Sequence, residues 1–103
     1  MLENLVAINL LRIYGRDDAV FFYKKGVEVD FVIPETATAI QVCYNLDNSD
    51  GTLDRDVSAL IKLSKVVECK KLMIITRDQK QTIEESGKTI EVIPVWEWLL
   101  NIK

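Results

Sequence analysis

Apolar residues recur at three- and four-residue spacing from the start of the chain. Over 2–14, LENLVAINLLRIY, the positions Leu2, Leu5, Val6, Leu10 and Ile13 build one apolar face, and the spacing predicts a helix. Gly15 is its expected terminator. The helix begins with no polar lead-in and no clear cap, the pattern of a fragment cut from a longer chain at a domain boundary. The period then changes. Residues 19–24, AVFFYK, are dense in strand formers, and Lys25 and Gly26 suit a tight turn into a second strand over 27–33, VEVDFVI. Pro34 lacks an N–H for a ladder and ends that strand, and residues 38–44, TAIQVCY, form the next. The short connections make these strands an antiparallel meander.

Residues 45–51, NLDNSDG, are a loop of turn formers, and Thr52 is placed to cap a helix over 53–67. That helix sets Leu53, Val57, Leu60 and Val67 on one face, flanked by Ile61 and Leu63. Residues 70–76, KKLMIIT, form a strand whose run LMII implies burial on both faces. The polar stretch 77–88, RDQKQTIEESGK, is expected as a surface turn or a short hairpin. Residues 89–93, TIEVI, are a last strand. Pro94 suits the first turn of a closing helix, VWEWLLN, with Leu99 and Leu100 as core anchors. Trp96 and Trp98, two apart on a helix, cannot both face inward, so one is expected to mark a docking surface.

The element order is thus α-β-β-β-α-β-β-α. The strand-helix-strand step from 38 to 76 sets its two strands parallel in one sheet. The expected fold class is α/β, a mixed sheet of four to five strands with helices on both faces.

Composition narrows the picture. With 103 residues the chain is one domain, 1–103, large enough for a core without disulfides or metals. A net charge of −3 argues against stand-alone nucleic-acid binding, which usually needs a basic excess. Histidine is absent, which removes the commonest general base and transition-metal ligand. The two cysteines, Cys43 and Cys69, have no CxxC spacing and read as free thiols in a reducing compartment. No apolar run is long enough to span a membrane and no signal-peptide pattern is present, so the expected location is cytoplasmic. The glycines are isolated, so no phosphate-binding loop is formed.

Candidate chemistry lies on the central hairpin, Gly26 to Tyr44. If 34–37 form the connection, Ile33 faces Thr38, Asp30 faces Gln41 and Glu28 faces Cys43. Alternation then sets Glu28, Asp30, Gln41 and Cys43 on one face, with Val29, Phe31, Ile33, Ile40, Val42 and Tyr44 on the other, against a helix. Glu28 and Asp30 read either as solvated charges near a strand end or as a divalent-metal site. Carboxylates on adjacent strands are what Mg²⁺, a hard cation, requires. Cys43 has no histidine to activate it and reads as a small buried side chain rather than a nucleophile.

The order α-β-β-β-α-β, an Asp on the second strand, and a polar residue, a spacer and a further residue on the third resemble the PD-(D/E)XK nuclease-like (restriction-endonuclease-like) fold. More closely, nearly the whole chain resembles the C-terminal domain of unknown function that follows the P-loop module in many bacterial and archaeal AAA-type ATPases. The stretches that carry the resemblance are LENLVAINLL, GVEVDFVI, AIQVCYNL, TLDRDVSAL, KLMIITRDQ and VIPVWEWLL. VEVDFVI followed by IQVCY is the most specific part. In active members of the nuclease-like fold, a helix-1 Glu, the strand-two Asp and a strand-three acid hold metal, and a Lys two residues later helps to activate water. By that resemblance Glu3 matches the helix acid and Asp30 the strand-two Asp. Gln41 stands in place of the second acid and Cys43 in place of the Lys. A neutral amide is a poor replacement for a carboxylate on Mg²⁺, and a thiol cannot stabilise an oxyanion as an ammonium does.

The resemblance implies a non-catalytic accessory domain that mediates protein or nucleic-acid contacts. It would carry no cofactor of its own, and its partner would be an upstream ATPase domain of the same, longer chain. The rival expectation is an Mg²⁺-dependent nuclease that uses Glu3, Glu28 and Asp30. Arg55 is a further candidate, as a counter-charge to the hairpin carboxylates in place of a metal. Asp54 and Asp56 beside it read as first-turn acids that complement the helix dipole. The basic pairs Lys24–Lys25 and Lys70–Lys71 read as solubilising strand-edge residues.

Overall fold

The computed structural model of the chain describes residues 2–15, 20–44 and 51–101. Three helices, α1 (Leu2–Tyr14), α2 (Thr52–Ser64) and α3 (Val95–Asn101), accompany six strands. These are β1 (Phe21–Lys24), β2 (Glu28–Ile33), β3 (Thr38–Val42), β4 (Lys71–Thr76), β5 (Gln81–Glu85) and β6 (Lys88–Pro94). They form one mixed sheet in the order β1-β2-β3-β4-β6-β5. The expected meander is present, with β1, β2 and β3 antiparallel. The expected crossover is present too: β3 and β4 run parallel. Strand β6 adds a second parallel pairing to β4.

The sheet is covered on both faces because its central strands are apolar on both. In β4, Leu72 and Ile74 enter a core under α2, with Val57, Leu60 and Leu63. Met73 and Ile75 enter the opposite core, under α1 and α3, with Val6, Leu10 and Trp98. Among the described residues no helix is long and apolar enough to cross a membrane.

The strand count exceeds the expected four to five. The extra strand, β5, comes from the polar stretch 77–88, which folds as a hairpin with β6. Its turn is Ser86–Gly87, with φ of 52° and 77°, the two positive values that a tight hairpin turn of matching twist requires. β5 is an edge strand. Ile83 alone of its residues packs against the core, so alternation is nearly invisible in its sequence.

Helix boundaries follow the apolar pattern, with corrections at the ends. Gly15 stops α1 as expected: its φ is +69° and its N–H donates to the Leu11 carbonyl at 2.8 Å. Thr52 is the first residue of α2 rather than its cap. Gly51 holds the cap position, with φ 78°, and its carbonyl accepts the Arg55 N–H at 3.1 Å. Pro94 ends β6 opposite Thr76 and does not enter α3. Leu100 is exposed, and Trp98 takes the anchoring place expected of it. On α1, Leu5 faces outward rather than into the core. Ala19, expected to open β1, lies outside the described residues.

Candidate functional site

The hairpin of β2 and β3 has the register read from its connection. Ile33 pairs with Thr38, Val32 with Ala39 and Phe31 with Ile40. Pro34–Thr36 form a single 3-10 turn, and Ala37 closes it in the left-handed region with φ 53°. Beyond Phe31 and Ile40 the strands part. The first half of β2 stays with β1, and the end of β3 stays with β4. A fork opens between them.

Within a sheet, parted strands leave backbone groups that must be paired elsewhere. Two side chains do this. The Asp30 N–H donates to Gln41 Oε1 at 3.0 Å, and Gln41 Nε2 donates to the Glu28 carbonyl at 3.0 Å. The Val42 N–H donates to Asp30 Oδ2 at 2.8 Å. The Gln41 carboxamide thus offers one acceptor and one donor to β2, as a peptide group of a neighbouring strand would. It is 2% exposed. Among the described residues every buried side-chain nitrogen and oxygen is paired.

β2 also carries a bulge at this point. Phe21 pairs with Val32 but Tyr23 pairs with Val29, so Asp30 and Phe31 together oppose Phe22 alone. The extra residue breaks the alternation on which the face assignment rested. Phe31, Ile33, Ile40 and Val42 pack on the α1–α3 side as expected. Val29 does not; it joins Val32 in the core under α2. Tyr44 is exposed, where Arg77 stacks over its ring at 5.2 Å. Cys43 faces the α2 side but is buried in that core, so it stands apart from the site.

The fork opens into a cleft of about 650 Å³. Glu28, Asp30 and Gln41 form its floor, Glu3 reaches it from α1, and Arg55 and Asp56 border it from α2. Five of the six residues expected at a site therefore meet here: Glu3, Glu28, Asp30, Gln41 and Arg55. Asp56 was expected only as a helix-dipole acid. Its signal was present in the spacing, since it precedes buried Ala59 and Leu60 by one helical turn and so must edge the inward face.

The cleft is a strained place for negative charge. Burial pushes the Asp30 carboxyl up to about 6. The Val42 N–H opposes that shift, while Glu3, within hydrogen-bonding reach, and the Glu28 charge add to it. Burial also pushes Asp56 to about 6, with the Asp30 charge adding and the Arg55 guanidinium opposing. Among the described residues no ion pair joins Arg55 to Asp30 or Glu28.

The backbone already engages part of the oxygen set that a divalent cation would use here. The Gln41 oxygen is engaged by the Asp30 N–H, one Asp30 oxygen by the Val42 N–H, and Cys43 lies in the core. Among the described residues no group of three His, Cys, Asp or Glu side chains is placed to hold a metal ion.

No protein-family model matches the chain, and no solved structure matches it. It is 35% identical over 110 residues to an uncharacterized protein of Methanocaldococcus jannaschii, MJ1544. The match covers 98% of this chain but 24% of that relative, so the chain spans about a quarter of the relative's length.

Proposed function

We propose that this chain is a non-catalytic accessory domain of an AAA-type ATPase, serving protein or nucleic-acid contacts. Its scaffold is that of a PD-(D/E)XK nuclease whose metal site has been replaced by a strand splice. The observation that carries the reading is Gln41. The Gln41 carboxamide is neutral, and both its atoms pair with the backbone of β2 as a neighbouring strand would, which supports a ladder role over that of a metal-binding acid. A relative about four times as long supports the reading of a domain within a larger protein.

Titration of the chain with Mg²⁺ and Mn²⁺, followed by calorimetry and by cleavage of duplex DNA, tests the proposal. The expected result is no stoichiometric binding and no cleavage. Tight binding that is lost in Asp30→Ala, together with cleavage by the wild type, would overturn it in favour of a nuclease using Glu3, Glu28 and Asp30. The ATPase part has its own check: the longer M. jannaschii protein should hydrolyse ATP, and failure to do so removes that partner.

A further inference from the structure

We draw no further inference here: the strongest candidate, the cleft at the β2–β3 fork where Glu3, Glu28, Asp30 and Asp56 converge beside Arg55, belongs to the site already described, and among the described residues every buried side-chain nitrogen and oxygen is already paired, so no group in it points to a ligand.

Discussion

Gln41 shows why an amide and a carboxylate are not interchangeable in a sheet. The fork needs an acceptor for the Asp30 N–H and a donor for the Glu28 carbonyl, and among side chains of this length only glutamine supplies both. Gln41→Met keeps the volume and removes both bonds, leaving two enclosed backbone groups unpaired. We expect it to cost about 2 to 4 kcal/mol in urea unfolding. Gln41→Glu keeps the acceptor, loses the donor and adds a charge beside Glu28 and Asp30. Its loss at neutral pH should exceed that of Gln41→Met, and should shrink as the medium is acidified. Equal losses at every pH would show that the charge is not felt in the fork.

Each helix is defined by which of its residues reach the sheet. α3 separates its tryptophans cleanly: Trp98 is 3% exposed within the core, and Trp96 is 57% exposed. Trp98→Ala should therefore destabilise by about 3 to 5 kcal/mol, and Trp96→Ala by no more than about 0.5 kcal/mol, in the same unfolding assay. That the two would part company was legible from their spacing, but which one turns inward was not. The choice depends on how β6 delivers the chain into α3, since Pro94 ends the strand and Val95 starts the helix. Boundaries elsewhere followed local chemistry closely. Gly15 stops α1, and the 34–37 connection sets the β2–β3 register. β5 was legible only as the short-hairpin alternative for 77–88, because an edge strand with one inward residue has no periodicity to read.

The whole molecule concentrates acid at the point where its sheet splits. Asp30 and Asp56 have folded pKa values near 6, above the 3.8 of an unperturbed Asp. Between these values the folded state holds more protons than the unfolded chain. The stabilisation from protonating them is therefore fully present below about 4, and is lost as pH rises through about 6. Both groups are partly open to solvent, so the combined effect is on the order of 1 to 2 kcal/mol after allowance for screening. Urea melts should show this contribution as a gain in stability between pH 7.5 and pH 5, reduced in Asp56→Asn. An unchanged pH profile in that variant would remove Asp56 from the account. Two apolar layers hold the fork in place, and the aliphatic outer stripe of α1 is exposed.

By itself the sequence determined what is local. Helix and strand identity follow from period, the meander from short connections, the buried centre at β4 from its apolar run, and the pairing of Ile33 with Thr38 from turn length. Only the tertiary structure decided what happens where two strands take different partners. β2 is drawn to β1 and β3 to β4, and neither attraction is written in the hairpin between them. That divergence opens the fork, and beside it β2 carries the bulge at Asp30 and Phe31, with Val29 turned to the other core. It also makes Gln41, which stands where the resemblance would put a second acid, part of the ladder. Asp56 joins the site for the same reason, since its neighbours come from elements distant in the chain. Periodicity records the surroundings of a residue along its own segment, whereas a site is made by segments that meet.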